Sequence, residues 1–310
     1  MPRRARALLC FLLAMGLATC ATPDGASRGA PAFQPVPGFP DEANQRLARF
    51  LEETRAEPGR KVAVFDGDGT VFGQAPHYLA DECLYLHAQA NPARKPELIQ
   101  EMARKVNVSI PYVQDRVRYL AGMSLQEVRE LGARCQREHF ADKFYPPMRA
   151  LVALLQAHGF EVWVVTGSPE ALYQQFIAEG LGIPPLRVVG VKSVIRGGLV
   201  TDEIVPPVPQ DAGKLAAIET FIQERPLLVG GNSRGDREMI EHSRGLKLIV
   251  NPDEHVEVGA TESIAEVARR EGWLTVRIRD VPAPDFPWVT SRGYGVRVNK
   301  THEGPGAAAP

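Results

Sequence analysis

Five short apolar runs, rich in β-branched residues, constrain the fold of this 310-residue chain more than any other feature. Each run has the length of a buried strand, and segments with a helical spacing of apolar residues lie between most of them. Strands that alternate with helices predict a parallel sheet with helices on both faces, which is an α/β, three-layer, Rossmann-like core. The five predicted strands are residues 61–65, 161–165, 186–191, 226–229 and 246–250.

Several helices and one hairpin are expected around this sheet. Asp41 opens an amphipathic helix that Pro58 and Gly59 end, because neither residue continues a helix well. Two glycines between apolar runs, at residues 196–199, predict the hairpin. The other helical patterns of the core are residues 148–158, 169–179 and 213–223.

A long connection of about a hundred residues separates the first predicted strand from the second. A structureless loop of that length is rare in a compact domain, and residues 76–144 are rich in helical patterns. We therefore predict an α/β core over residues 41–71 and 145–300, with a helical cap of residues 72–144 inserted in it. The cap leaves the sheet at the carboxyl end of the first strand, where ligands bind in open α/β sheets, so we expect it to act as a lid.

The N-terminus has the pattern of an export signal. Three arginines precede an apolar run over residues 7–18, which is too short to span a bilayer comfortably as a helix. The run ends in Leu-Ala-Thr-Cys20, which resembles the lipobox of bacterial lipoproteins. We expect a signal peptide over residues 1–20 and export to the periplasm, with a lipid anchor on Cys20 or, alternatively, simple secretion.

The composition of the chain limits the classes of macromolecule that we expect it to bind. Residues 21–40 carry five prolines among small residues and predict a tether. The net charge of -1 gives no overall attraction to nucleic acid, and no convincing basic patch stands out, so the only membrane contact we expect is the lipid anchor. In an oxidising compartment, Cys83 and Cys135 either pair or remain buried as apolar thiols.

Two carboxylates directly follow the first strand, Asp66 and Asp68 in Asp-Gly-Asp-Gly-Thr. Side chains two residues apart in extended backbone point to the same side, so one carboxylate can attack a substrate while the other transfers a proton. An EF-hand is excluded, because its sixth and twelfth positions would be Val71 and His77. A dinucleotide-binding loop is excluded too, because the third glycine of its fingerprint is missing.

Polar residues also follow the later strands. Ser168 is expected to cap a helix whose first residue is a proline, so that Thr166 and free N–H groups of the helix face a phosphate. Lys214 lies in a later helical pattern, where a lysine alone is usually a surface charge. Asn232 and Asp236 follow the strand at 226–229 and offer oxygen atoms suited to Mg²⁺.

Taken together and in this order, the four motifs resemble the haloacid dehalogenase superfamily of aspartate-nucleophile phosphohydrolases. The resemblance covers about residues 61–251, and the cap is inserted as in the subgroup that includes phosphoserine phosphatase and phosphorylcholine phosphatase. It implies that Asp66 forms an aspartyl-phosphate and that Asp68 is the general acid/base. It also implies the phosphate ligands Thr166, Gly167 and Lys214, and the Mg²⁺ ligands Asp66, Asp68, Asn232 and Asp236.

The substrate implied by the resemblance is a small phosphorylated metabolite. Arg116 lies in a cap segment that resembles the one whose arginine pairs with the substrate carboxylate in phosphoserine phosphatase. A phosphorylcholine-type substrate would instead need an aromatic box for its quaternary ammonium. Tyr78, Tyr85, Tyr112 and Tyr119 are the candidates for that box.

Two other functions compete with phosphate ester hydrolysis. The Gly-x-Ser-x-Gly pattern around Ser233 matches the nucleophile elbow of serine hydrolases, which needs a histidine downstream, and His242, His255 and His302 are available. A catalytically silent, phosphate-binding lipoprotein is the other alternative. It is motivated by Asn232, because the family usually has aspartate at that position and an amide brings no charge to a metal.

Overall fold

The computed structural model of the protein describes residues 31–74, 77–256 and 260–280 together with Tyr294. The chain divides into the units Met1–Pro31 and Ala32–Pro310, and the elements given below belong to the second unit. The predicted signal peptide, the lipidation site at Cys20 and His302 lie outside the described residues. Within the described part, every helix is too short or too polar to span a bilayer.

One sheet organises the described part of the chain. Its strands are β1 (Val62–Phe65), β2 (Glu161–Pro169), β3 (Val188–Arg196), β4 (Leu199–Val205), β5 (Leu228–Gly231), β6 (Leu246–Val250) and β7 (Leu274–Val276). They lie in the order β4-β3-β2-β1-β5-β6-β7, and every neighbouring pair is parallel except the β3–β4 hairpin. All five predicted strands and the hairpin are present, and the predicted α/β fold class is confirmed.

Helices cover both faces of this sheet. They are α1 (Asp41–Glu53), α2 (Leu79–Ala90), α3 (Pro96–Met102), α4 (Ile110–Leu120), α5 (Leu125–His139), α6 (Pro146–Ala157), α7 (Glu170–Leu181), α8 (Ala212–Ala217), α9 (Arg237–Glu241) and α10 (Ile264–Arg270). Strand β1 is buried on both sides: Ala63 and Phe65 pack with α1, α6 and α7, whereas Val62 and Val64 pack with α9 and α10. Because successive side chains of β1 point to opposite faces of the sheet, the sheet forms the middle layer between two layers of helices.

The cap helices α2 to α5 lie between β1 and β2 in the chain. A disulfide joins Cys83 of α2 to Cys135 of α5, so the two cysteines that the sequence left unassigned are paired. The two connections of the cap run side by side, because Phe72 bridges Phe144 and the Gly73 N–H donates to the Lys143 carbonyl at 2.8 Å. The cap therefore begins and ends at one place on the core.

Candidate active site

The loop after β1 presents two carboxylates at the carboxyl edge of the sheet. The Gly67 carbonyl accepts hydrogen bonds from the N–H groups of Thr70 (3.2 Å) and Val71 (3.0 Å), which closes the loop into a turn. Gly69 has a φ of +80°, and a Cβ built on it would lie 2.2 Å from the Asn232 amide nitrogen. Only glycine therefore lets this loop pack against the end of β5.

Lys214 joins the first of these carboxylates to a third one. Its Nζ lies 2.6 Å from Asp66 Oδ1 and 2.5 Å from Asp236 Oδ1, and all three side chains are buried. Burial raises the pKa of Asp66 to about 7, repulsion from Asp236 adds to the rise, and Lys214 opposes it. Burial alone would lower the pKa of Lys214, but the two carboxylates raise it well above its usual value. The lysine is therefore a fixed positive charge at the site.

Asp236 does not have the surroundings expected of a metal ligand. Its Oδ2 accepts hydrogen bonds from the N–H groups of Asn232 (2.9 Å) and Ser233 (3.0 Å) and from the Ser233 hydroxyl (3.1 Å), while Oδ1 accepts from Lys214. Burial would raise the pKa of Asp236, but Lys214 and these N–H groups lower it. Both oxygens are engaged by protein donors, so Asp236 anchors Lys214 and the loop after β5, and its expected role as a Mg²⁺ ligand stays a prediction.

The second carboxylate, Asp68, has a different environment. Its Oδ1 and Oδ2 lie 2.9 and 3.0 Å from the hydroxyl oxygen of Tyr173, and the Ser168 hydroxyl donates to Oδ2 at 3.2 Å. Burial raises the pKa of Asp68 to about 6, and the Tyr173 hydrogen bond is the strongest effect that opposes the rise. Asp66 thus faces an ammonium group, whereas Asp68 faces hydroxyl groups, and this difference suits them to different roles.

The expected helix cap at Ser168 is wrong. Strand β2 continues to Pro169, which pairs with Val191 of β3, and helix α7 begins at Glu170 without a side-chain cap. The longer strand turns the Ser168 side chain to Asp68, while its N–H donates to Thr166 Oγ1 at 3.1 Å. The predicted helix after Asp211 is also shorter than expected, since α8 ends at Ala217 and continues as the π-helical turn Ile218–Ile222.

A small cavity connects most of the predicted site residues. Its volume is about 60 Å³. A larger cavity of about 510 Å³ adjoins it and shares the lining residues Tyr78, Asn232 and Ser233 with it. The small cavity is lined by Asp66, Asp68, Thr166, Gly167, Lys214 and Asn232, together with Arg116 from the cap.

The donors around Asp66 and Asn232 suit a hard divalent cation. The Thr70 hydroxyl lies 3.3 Å from Asp66 Oδ2 and 3.4 Å from Asn232 Oδ1, so these two oxygens flank one hydroxyl group. Carboxylate, amide and carbonyl oxygens are the ligands that Mg²⁺ prefers. Within the described residues, His, Cys, Asp and Glu form no cluster of three for a metal ion. The Asp66 carboxylate and the Asn232 amide oxygen are the donors that these contacts bring together.

Arg116 lies at the cap side of the cavity and is held by a buried carboxylate that the sequence did not reveal. Its guanidinium pairs with Asp81 at 2.7 Å, and Asp81 also accepts hydrogen bonds from Tyr112 (2.8 Å) and Asn107 (3.1 Å). The guanidinium carbon lies 5.6 Å from the ring centre of Tyr78 and 4.8 Å from that of Tyr112. The cationic side chain of Arg116 thus occupies the place that a quaternary ammonium would need.

The expected four-tyrosine box does not form around the cavity. Tyr78 lines the cavity, but the ring of Tyr85 stacks on Tyr294 at 5.0 Å and the Tyr119 hydroxyl lies 2.9 Å from His87. In a sequence, aromatic residues at helical spacing have the same pattern whether they line a cavity or pack in the core. The spacing of the four tyrosines therefore could not show which of them line the cavity.

Sequence analysis missed two residues of the candidate site, Asp81 and Tyr173, because each stands in a pattern that is also typical of structural residues. Asp81 stands in the first turn of α2, where an acidic residue is common for helix stability alone. Tyr173 follows the core-facing spacing of α7 together with Phe176 and Ile177. Neither position differs from a structural residue until the folded chain brings Asp81 to Arg116 and Tyr173 to Asp68.

Ser233 has no arrangement typical of a serine nucleophile. Its hydroxyl donates to Asp236, which closes a reciprocal capping box at the start of the turn Arg234–Asp236. A serine nucleophile needs its hydroxyl bonded to a general base, usually histidine. The contacts of Ser233 therefore do not support the hydrolase elbow.

Comparisons with known proteins point to one family. The model of the haloacid dehalogenase-like hydrolases matches residues 63–241, which is more than half of the chain. No protein of curated function matches the chain.

Two solved structures have the same fold at low sequence identity, and a third is similar at a lower TM-score. A conserved, functionally unknown protein from Anaerococcus prevotii DSM 20548 has a TM-score of 0.56 and 15% identity, over 76% of this chain and 95% of that one. A protein with unknown function from Bordetella pertussis Tohama I has a TM-score of 0.54 and 18% identity, over 70% and 98%. A phosphoserine phosphohydrolase-like protein from Francisella tularensis subsp. tularensis SCHU S4 has a TM-score of 0.42 and 19% identity, over 68% and 99%.

Proposed function

Since this chain belongs to the haloacid dehalogenase-like hydrolases, we propose that it is a Mg²⁺-dependent phosphatase that forms an aspartyl-phosphate on Asp66. One observation carries the proposal: two buried carboxylates, Asp66 and Asp68, line the same small cavity but have different partners. Such a division of partners suits one carboxylate to nucleophilic attack and the other to proton transfer.

Asp66 is the proposed nucleophile. The ammonium group of Lys214 binds Oδ1 at 2.6 Å and favours the charged carboxylate, which opposes the effect of burial on the pKa of Asp66. Oδ2 lies beside the Thr70 hydroxyl, and we propose that an Asp66 oxygen attacks the phosphorus of the substrate. Lys214 then neutralises part of the negative charge of the phosphoryl group, and the Thr166 hydroxyl and Gly167 N–H bind its oxygens.

Asp68 is the proposed general acid and base. As the ester P–O bond breaks, Asp68 gives its proton to the departing oxygen, and the alcohol leaves. A water molecule then attacks the phosphorus of the aspartyl-phosphate and gives its proton to Asp68. Phosphate leaves, and both carboxylates return to their starting states.

The donors that would hold Mg²⁺ are the Asp66 carboxylate, the Asp68 main-chain carbonyl and the Asn232 amide oxygen. When bound, the ion neutralises negative charge on the phosphoryl oxygens. We leave Asp236 out of this set, because its oxygens already accept four hydrogen bonds from protein groups.

Between the two expected substrate types, the surroundings of Arg116 favour the phosphoserine type. A guanidinium already lies over the rings of Tyr78 and Tyr112, and a quaternary ammonium at that place would meet a like charge. A leaving group that carries a carboxylate would meet the opposite charge. We therefore propose a small phosphorylated metabolite with an anionic leaving group.

Hydrolysis of a panel of phosphate monoesters, with and without Mg²⁺, tests this function. The panel includes phosphoserine and phosphorylcholine, and the wild-type protein is compared with Asp66→Asn and Ser233→Ala. We expect Mg²⁺-dependent release of phosphate that Asp66→Asn abolishes and that Ser233→Ala retains.

The other outcomes are equally decisive. Full activity of Asp66→Asn would refute the aspartyl-phosphate. Activity that resists a chelator and is lost in Ser233→Ala would favour the serine hydrolase, and wild-type protein that binds phosphate without turnover would favour the silent binding protein.

A further inference from the structure

The hydroxyl of Tyr173 connects the carboxylate of Asp68 to the cap. Tyr173 lies on α7 of the core and is fully buried, and its hydroxyl oxygen lies 2.9 and 3.0 Å from the two oxygens of Asp68. The same oxygen accepts a hydrogen bond of 3.2 Å from the main-chain N–H of Ala80, in the first turn of cap helix α2. A phenol has one hydrogen to donate and lone pairs to accept with, so both bonds can exist together.

The N–H of Ala80 determines where the Tyr173 hydroxyl points. A hydroxyl hydrogen rotates to suit its neighbours. Because the Ala80 N–H occupies the accepting side of the oxygen, the hydroxyl hydrogen is directed to the Asp68 carboxylate. A main-chain N–H of the cap thus orients the hydrogen bond from Tyr173 to Asp68.

The ring of Tyr173 is held by the two connections of the cap. It packs edge to face on Phe72 at 5.8 Å and on Phe176 at 4.9 Å, and Phe72 packs in turn on Phe144 at 5.7 Å. Phe72 and Phe144 form the bridge at which the cap begins and ends. The ring cannot swing away from Asp68 without disturbing that bridge, because a packed core leaves no room for it.

We propose that Tyr173 is a positioning residue that orients Asp68 for proton transfer to the leaving group, an inference that rests on the proposed function. Together with the Ser168 hydroxyl, it fixes the plane of the Asp68 carboxyl. A protonated carboxyl group still has lone pairs to accept from Tyr173. The hydrogen bond therefore persists before and after the proton moves from Asp68 to the ester oxygen, as the P–O bond breaks and the phosphoryl group passes to Asp66.

Two phosphate esters of nearly the same shape but with different leaving groups test this role. Nitrophenolate departs from p-nitrophenyl phosphate readily without a proton, whereas the more basic phenolate of phenyl phosphate depends more on a general acid. The ratio kcat/KM reports the steps up to departure of the leaving group and excludes the later hydrolysis of the aspartyl-phosphate. A defect in orienting Asp68 is therefore larger for phenyl phosphate.

The variant is Tyr173→Phe, which removes one oxygen and keeps the ring. We expect kcat/KM to fall about ten- to a hundredfold for phenyl phosphate and less than about threefold for p-nitrophenyl phosphate, because general acid catalysis contributes roughly 10²- to 10⁴-fold. Tyr145→Phe is the matched control, since it also removes a buried hydroxyl, one that bonds Asn251 and Asp280. We expect equal, small changes for both esters in this control, and thermal melting shows that each variant is folded.

The outcomes separate this inference from the proposed function. Equal losses for the two esters in Tyr173→Phe, or the same selective loss in Tyr145→Phe, would overturn the positioning role while phosphatase activity stands. Wild-type protein that hydrolyses neither these two esters nor any member of the phosphate monoester panel would overturn the proposed function and this inference with it.

Discussion

Asn232 brings an amide to a place where a carboxylate would add a full negative charge. Its Oδ1 and an Asp66 oxygen flank the Thr70 hydroxyl, so residue 232 faces the proposed metal position directly. We predict that Asn232→Asp lowers the Mg²⁺ concentration for half-maximal activity about three- to tenfold, because ligand charge raises the affinity of an oxygen site. Titration of phosphatase activity with Mg²⁺ measures the change.

A second readout of Asn232→Asp does not depend on turnover. Without Mg²⁺ the new carboxylate lies near Asp66 and Asp236, and repulsion between them lowers the melting temperature below that of the wild type. With Mg²⁺ the variant gains more stability than the wild type, since a ligand stabilises the state that it binds. An unchanged half-saturation together with an unchanged Mg²⁺-induced shift in melting would contradict a metal position beside residue 232.

Single residues differ in how well a sequence predicts them. Asp66 and Asp68 were predictable because they directly follow a strand, whereas Lys214 was singled out only by the family resemblance, and the structure brings all three to one cavity. Tyr173 and Asp81 were not, because each acquires its role from a partner more than thirty residues away, as the Tyr173–Asp68 and Arg116–Asp81 contacts illustrate. Such partners depend on how the helices of the cap pack on one another and on how α7 packs beside the loop after β1.

Between elements, the disulfide from α2 to α5 is the strongest single constraint within the cap. Cys83 and Cys135 are 52 residues apart, and a loop of that length predicts a stabilisation of about 4 kcal/mol from the entropy of the unfolded chain. We predict that the double variant Cys83→Ala/Cys135→Ala lowers the free energy of unfolding by about 2–4 kcal/mol, as urea titration measures.

Reducing agent provides the control for this prediction. The wild-type protein in reductant should approach the unfolding midpoint of the double variant, whose own midpoint should not respond to reductant. A wild-type midpoint that reductant leaves unchanged, under conditions in which the free thiols are titrated, would show that the pairing contributes nothing to the cap.

The elements themselves were predicted better than their ends. Strand β2 was expected to stop at residue 165, but it runs to Pro169 because β3 lies alongside and pairs with that residue. Because the strand is longer by these four residues, the Ser168 side chain contacts Asp68 and does not cap α7. Strand β7 was not predicted at all, because three residues carry too little pattern to reveal a strand that β6 pairs with.

In the whole molecule, main-chain pairing fixes the cap at two places. One is the bridge between Phe72 and Phe144, and the other is the β3–β4 hairpin, where Val200 exchanges main-chain hydrogen bonds of 2.8 Å with Gly122 and Met123. Asp66, Asp68 and Arg116 line the cavity between cap and core, and each is at most 6% exposed, so the closed cap limits the access of an ester and its leaving group to them. We infer that substrate binds when the contact between cap and hairpin opens, with the bridge acting as the hinge.

A crosslink between cap and hairpin tests whether this opening is part of turnover. Ser124 of the cap and Leu199 of the hairpin are antiparallel bridge partners, and such pairs have Cα separations of about 4.5–5.5 Å, which a disulfide accepts. We predict that oxidised Ser124→Cys/Leu199→Cys loses most of its kcat, and that mild reductant restores it. Each single variant, treated identically, corrects for the lost Ser124 side chain and for any effect on Cys83–Cys135. If the crosslinked protein turns over at the rate of the single variants, the hairpin moves with the cap and the opening must occur elsewhere.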